Sequence, residues 1–403
     1  MCSSDLLLAL YGDKVVPFSF AGVRTGRPTV GLSARGSRPV RVASAEKYFK
    51  LLENVNVLVK DEERGRVLAK EIEQVCRRTK LEVEADPELL KENLYLVEYP
   101  VCVLGAYDQE FLKLPAELLD LVMKKQLKFF PVRDARKRPQ PYFLGVRDGV
   151  SKGQKNVEEG FRNVLEARFR DAIFFYTRDL AVPLDDLAAK LKAVTFQEKL
   201  GSMADKTVRV SEMAKMICEN MSADPSVKID SGEVLKAARY VYADLASNVV
   251  REFPELQGIM GYYYARNAGL SEAAAKAIGG FYLPLNAKSP LPSSPEGSAL
   301  SMAGKADNLI SYFYLGLIPS GSADPHGLRR QAMGLARIVL EKGISIDLRK
   351  LLTCAPGTAP EDAAPFLDFI WQRAEAIFGE AGYRFDEIKA VKRFFLEKGD
   401  LLD

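Results

Sequence analysis

Two runs decide how this chain reads: EFPELQGIMGYYYA, from Glu252 to Ala265, and PSGSADPHGLRR, from Pro319 to Arg330. In the first, Pro254 and Gly258 mark a helix end. The acids on or beside it, Asp244, Glu252 and Glu255, read as caps and not as a carboxylate pair for acid–base work. Met260, Tyr262, Tyr263 and Tyr264 read as core-packing side chains. In the second run Ser322, Asp324 and His326 fall close together and invite comparison with a catalytic triad. Triads bring residues from separate elements to an oxyanion hole, and no G-x-S-x-G elbow occurs in the chain. A polar turn is the better reading, with Asp324 or Ser322 capping a helix that has Pro325 in its first turn. Both runs are therefore helix boundaries, and neither holds a metal cage, a phosphate cradle or a nucleophile.

Working outward, the hydrophobic period is helical from about residue 155. Val157, Phe161, Val164, Leu165, Ala172 and Phe175 fall on one face. Pro183 stands at a first helical position ahead of Leu184, Leu187, Leu191 and Val194. Asp230 and Glu233 form a candidate capping box before Val234, Val241, Leu245 and Val249, and Ser271 caps a further helix. After a proline-rich loop at Ser289–Gly297, helices are expected at Gly297–Leu315, Pro325–Lys342, Ala364–Phe378 and Asp386–Lys398. The first 150 residues are mixed. Leu6–Leu10 and Val15–Phe20 flank a Gly12-Asp13 turn, Asn54–Val59 alternates as a strand, and Glu62–Arg78 is helical. Leu94–Leu104 reads as a strand pair broken at Pro100, Pro115 opens a helix through Lys125, and Phe129–Val132 pairs with Tyr142–Val146. The expected class is α+β: a mixed α/β domain over 1–150, a helical connector over 151–200, an α-helical domain over 201–350 and C-terminal helices over 351–403.

Of the 403 residues, 57 are basic and 54 acidic, for a formal net charge of +3. This excludes a global polycation, so contact with nucleic acid must come from local patches. The five cysteines form no C-x-x-C pair and read as reduced thiols. The opening MCSSDLLLALYGDKV lacks the basic flank of a signal peptide, and no apolar run reaches membrane-spanning length. A cytoplasmic protein without a membrane anchor is expected.

The single histidine, His326, is strong negative evidence. H-E-x-x-H proteases and HD-type phosphohydrolases need several metal-binding side chains, two or more of them histidines. An all-carboxylate magnesium site stays open. No G-x-x-x-x-G-K-[ST] loop, no G-x-G-x-x-G after a strand and no synthetase signature sequence occurs, so nothing here should activate an amino acid with ATP. One patch favours nucleic acid: Lys124, Lys125, Lys128, Arg133, Arg136, Lys137 and Arg138 against the single acid Asp134, with Phe129, Phe130, Tyr142 and Phe143 interleaved or adjacent. Cations neutralise phosphates and exposed aromatics stack on unpaired bases. A solvated hairpin with its aromatics in the core fits the same composition. Arg162, Arg168 and Arg170, offset by Glu158, Glu159, Glu166 and Asp171, read as a salt-bridged helix face. Arg329 and Arg330 could hold an acidic neighbour or a phosphate.

Several strings, in order, resemble the bacterial glycyl-tRNA synthetase β-subunit family. They are LLLALYGDKVVPFSFAG, LVEYPVCVLGAYDQEFLKLPAELL, MKKQLKFFPV, EEGFRNVLEARFRDAIFFYTRDL, TFQEKLGSMADKTVRV and the two opening runs. The resemblance covers about Leu6 to Val391. It implies that the helical region is HD-like but has lost its metal ligands, which agrees with the lone histidine. Phe161 stands where the family usually has asparagine, Tyr242 where it has lysine, Gly304 where its A-D-K motif has aspartate and His326 where it has phenylalanine. Against the family the chain is expected to be a central portion, without the N-terminal region and the C-terminal anticodon-binding domain.

The resemblance further implies that an α subunit uses ATP, with Mg, to form glycyl-adenylate, and that this chain binds no cofactor and no DNA. It would position tRNA(Gly) in an α2β2 assembly and carry no catalytic residue. Candidate RNA contacts are Lys124, Lys125, Lys128, Arg168, Arg329 and Arg330. The alternative is a degenerate paralogue, a standalone RNA-binding or helical scaffold module without ligase activity.

Overall fold

The computed structural model describes residues 6–32, 39–84, 86–149, 152–319, 323–354 and 363–402. They fall into two units, Met1–Phe174 and Phe175–Asp403. The class is α+β, with strands concentrated in the first unit and helices dominating the second.

In the first unit, Leu10–Tyr11 and Lys14–Val15 pair antiparallel across Gly12-Asp13. Gly12 takes a φ of +57°, a region open to glycine at little cost, so glycine comes first in this tight turn. The main sheet has four antiparallel strands in the order Glu82–Val83, Phe130–Arg133, Pro139–Asp148, Pro100–Ala106. Strand alternation sends Phe130, Val132, Leu144 and Cys102 to one face, where they pack with Leu68, Ile72 and Val75 of helix Asp61–Thr79. On the sheet's other side the Phe129 ring stacks on Phe143 at 4.9 Å and meets Phe161 of helix Gln154–Leu180 at 5.0 Å.

Two expectations in this unit are corrected. Asn54–Val59 is not a strand: helix Tyr48–Asn54 ends there and Asn56 adopts a φ of +60°. Leu58 is the residue that turns inward and Val59 points out, so the Val55–Val57–Val59 alternation does not mark a buried face. Of the anticipated pair at Leu94–Leu104 only the second half is a strand. Residues 94–96 close helix Pro87–Leu96, which Asp86 caps by accepting from the Glu88 and Leu89 amides.

In the second unit, helix Pro295–Tyr314 is buried on almost every side from Gly297 to Ser311. A helix apolar all round belongs in a core, and its small residues Gly297, Ala299, Ser301, Ala303, Gly304 and Ala306 let neighbours approach closely. Helices Met203–Ser222, Ser231–Tyr240, Glu272–Gly279 and Leu328–Lys342 surround it. Ser294 caps it by accepting from the Gly297 amide at 3.1 Å, so it starts two residues earlier than anticipated. Asp230 accepts from the Glu233 amide at 3.1 Å, whereas the Glu233 carboxylate turns to Lys236 and Ser271, leaving half of the anticipated capping box. Ser271 caps helix Glu272–Gly279 through the Ala274 amide. Among the described residues, no helix is long and apolar enough to cross a membrane.

Candidate functional site

Lys124 and Lys125 lie in a π-helical turn, Val122–Gln126, that follows helix Ala116–Leu121. Lys128 comes next with a φ of +58°, its carbonyl held at 3.1 Å by the buried Asn93 amide. The cations around the hairpin are largely matched by carboxylates. Lys124 meets Glu84 at 2.7 Å and Lys128 meets Glu92 at 2.9 Å. Arg133 bridges Glu84, at 2.7 Å, and Asp120, while Lys137 pairs with Glu82 and Arg138 with Asp134. Burial works against ionisation of Glu84, but hydrogen bonds from Lys124 and Arg133 outweigh it and hold the carboxyl below the ordinary glutamate range. Phe129, Phe130 and Phe143 are in the core, and only Tyr142 is partly open, so this hairpin offers cations but no aromatic platform. Arg133 and Asp120 are largely buried, but the other pairs are at least partly solvent-exposed and contribute about 0–1 kcal/mol each, which leaves their cations exchangeable between carboxylate and phosphate.

Arg168 is exposed on helix Gln154–Leu180 and forms no ion pair among the described residues, while Arg170 pairs with Glu166 at 3.2 Å. Arg329 and Arg330 belong to the other unit, in the first turn of helix Leu328–Lys342. The turn before them is a capping device. Asp324 accepts from the Leu328 and Arg329 amides at 2.8 and 2.9 Å, and helix formation begins after Gly327, not at Pro325. The exposed His326 ring stacks on Tyr312 at 4.2 Å. Asp324 is thus committed to backbone amides and does not orient the imidazole. Ser322 lies outside the described residues.

The densest charge in the second unit is buried, and sequence reading missed it. Asp307, on the central helix, receives Lys206 and, at 2.7 Å, Arg209, both from helix Met203–Ser222. Lys206 also donates to Asn308 at 2.8 Å and lies 4.2 Å over the Phe196 ring. The Nη2 of Arg209 is buried without a partner among the described residues. Two positions before Asp307, the 4 % exposed Lys305 donates to the Tyr282 carbonyl at 3.2 Å and meets no carboxylate among the described residues. Burial alone pulls its ammonium down to about 7. Lys206, Lys305, Tyr242, Phe281, Tyr282 and Gln331 are among the residues lining a cavity of about 220 Å³. Gly304 explains part of its shape: a Cβ there would stand 2.2 Å from the Phe281 ring, which packs edge-on against Tyr242 at 5.2 Å. The available signal was Lys305 and Asp307 inside the small, apolar run LSMAGKADNLI, where charge is costly unless compensated.

Asp244, beside the opening run, is structural, and so is Asp179. Asp244, fully buried, accepts from the Gly258 and Gly261 amides at the start of helix Ile259–Asn267. Burial raises its carboxyl to about 6, against the pull of those amides. Asp179 accepts from the Asn248 and Val249 amides, both at 2.9 Å, and from the Tyr264 hydroxyl at 2.9 Å. Met260 and Tyr264 are core residues.

Among the described residues, no group of three or more His, Cys, Asp or Glu side chains converges as a metal cage would require. Fold and site together define an α+β chain with exchangeable surface cations in one unit and a charged cavity in the other. Comparison with known proteins places it further. The family model described as glycyl-tRNA synthetase beta subunit matches residues 5–393. Over 391 residues the chain is 36% identical to the glycine–tRNA ligase beta subunit of Thermodesulfovibrio yellowstonii, covering 96% of this chain and 57% of that protein. Against the Bacillus subtilis glycine–tRNA ligase beta subunit the identity is 37% over 385 residues, with 96% and 56% covered. The Moorella thermoacetica glycine–tRNA ligase beta subunit gives 37% over 395 residues, with 95% and 56% covered. The chain belongs to the glycyl-tRNA synthetase β-subunit family, and it spans little more than half the length of these relatives.

Proposed function

We propose that this chain is a tRNA-handling portion of a glycine–tRNA ligase, holding tRNA(Gly) so that its 3′ end reaches an active site on a separate α subunit of an α2β2 enzyme. The observation that carries the reading is the family match across residues 5–393. Positioning of this kind can supply about 7–11 kcal/mol of a transfer barrier without a reactive side chain, because orientation is fixed before the chemical step. Glycine activation with ATP and Mg is assigned to the α subunit, and the assembly to the cytoplasm. Lys124, Lys125, Lys128 and Arg168 are the proposed phosphate contacts in the first unit, and Arg329 and Arg330 those in the second.

Gel filtration of the chain with a glycyl-tRNA synthetase α subunit and tRNA(Gly) tests this. Co-elution is expected, together with no glycine-dependent ATP–pyrophosphate exchange by the chain alone. Elution apart from both partners, or exchange activity in the isolated chain, would reject the proposal. Within a complex, Lys124→Glu, Lys125→Glu and Lys128→Glu combined should weaken tRNA binding at least tenfold.

A further inference from the structure

We infer that the cavity between helices Met203–Ser222, Pro295–Tyr314 and Leu328–Lys342 binds a small phosphate-bearing anion, with Lys305 as its principal charged contact. The argument begins with charge. Lys206 and Lys305 both line the cavity, and the carboxylate of Asp307 is already shared by Lys206 and Arg209. Asp244, the other acid nearby, has one oxygen committed to the Gly258 and Gly261 amides. Among the described residues Lys305 keeps a single acceptor, the neutral Tyr282 carbonyl. A buried ammonium without a counter-charge is among the costliest arrangements in a protein interior.

The second strand of the argument is geometric. Lys305 lines the cavity, as do Lys206 and the neutral polar side chains of Gln257, Asn308 and Gln331. A volume of about 220 Å³ lies below the roughly 300–1,000 Å³ of sites for drug-sized ligands, which favours a compact ion. A phosphate group supplies the counter-charge that Lys305 lacks, and its oxygens accept from donors in several directions. Lysine serves phosphate well because it acts as a point charge with three rotatable donors. Burial holds the Lys305 ammonium down to about 7, and an anion beside it would draw a proton onto it. The inference is independent of the synthetase reading, since it concerns the isolated chain and uses no tRNA and no α subunit.

The test measures thermal stability and direct binding of the purified chain at constant ionic strength, with inorganic phosphate, adenosine 5′-monophosphate and adenosine compared in chloride buffer. Saturable stabilisation by phosphate and by the monophosphate is expected, with none by adenosine. Lys305→Met, which keeps the apolar stem, should weaken phosphate binding at least tenfold. A measurement on the unsubstituted chain guards against a folding defect in that variant. Phosphate should slow labelling of Lys305 by an amine-reactive reagent severalfold, read by peptide mass spectrometry. Absence of a phosphate effect, unchanged affinity in Lys305→Met, unprotected Lys305, or stabilisation by adenosine equal to that by its monophosphate would each overturn the inference.

Discussion

At the scale of single residues, buried charge dominates the helical unit. Lys305 shows how its sign works out. An unfolded lysine titrates near 10.5, whereas burial brings Lys305 to about 7 in the folded chain. Between these values the unfolded chain holds a proton that the folded chain has released, so the Lys305 contribution makes stability rise with pH across that window. Below about 7 both states carry the proton and the full penalty of burying the ammonium stands. In phosphate-free buffer Lys305→Met should therefore be more stable than the parent at pH 6, by on the order of a few kcal/mol. That advantage should shrink steadily towards pH 10. Urea denaturation of both proteins at several pH values checks it, and a pH-independent difference would refute it. Asp307 presents the opposite case, since two cations depend on it. Asp307→Ala leaves Lys206 and Arg209 buried without their carboxylate and should lose about 3–5 kcal/mol in the same assay.

Elements in this chain begin where side chains supply acceptors for the first amides of a helix, and some of those side chains come from distant sequence. Local caps stand a few residues before the amides they accept from: Ser271 is read as one from the sequence, whereas Asp86 and Ser294, equally local, are missed. Asp244, read as a cap, holds a helix start well downstream of it, and Asp179 leaves no such local signal. They sit 14 and 69 residues before the first amides they hold, and only the folded packing brings them there. The same distinction explains the misread segments. Val55, Val57 and Val59 alternate, yet the turn at Asn56 breaks the pleat that alternation presupposes. Leu94 to Leu96 are apolar enough for a strand, but the upstream Asp86-Pro87 start carries the helix through them. The buried Lys305–Asp307 region escaped notice because two charges in a helical sequence ordinarily lie on a solvated face. For Asp244 the consequence is measurable. Asp244→Ala strands the Gly258 and Gly261 amides at a buried helix start, and a buried donor left unpaired costs about 1–3 kcal/mol. A stability loss of about 2–5 kcal/mol is expected in urea, and a loss under about 0.5 kcal/mol would show that these amides find other acceptors.

On the scale of the whole molecule, charge is abundant and nearly balanced, with 57 basic against 54 acidic residues. Long-range attraction to RNA is therefore weak, and affinity must come from local contacts. Around the Phe130–Arg133 and Pro139–Asp148 strands those contacts are already matched by Glu82, Glu84, Glu92, Asp120 and Asp134. A lysine that exchanges a carboxylate for a phosphate releases a counterion from the RNA but gives up its own partner. The apparent salt dependence per contact then falls below the roughly 0.7–0.9 expected for an unpaired cation. Six independent phosphate contacts would give a slope of log affinity on log salt near about −4 to −5. For tRNA and the unsubstituted chain we expect a slope no steeper than about −3. Glu84 is the control point, because it holds Lys124 and Arg133 together. Glu84→Gln should free Lys124, while Arg133 keeps Asp120, and should tighten tRNA binding severalfold at low salt and steepen the slope by about one. Filter binding between 50 and 250 mM KCl distinguishes the cases. A parent slope near −5 that Glu84→Gln leaves unchanged would mean that the RNA lies elsewhere on the protein.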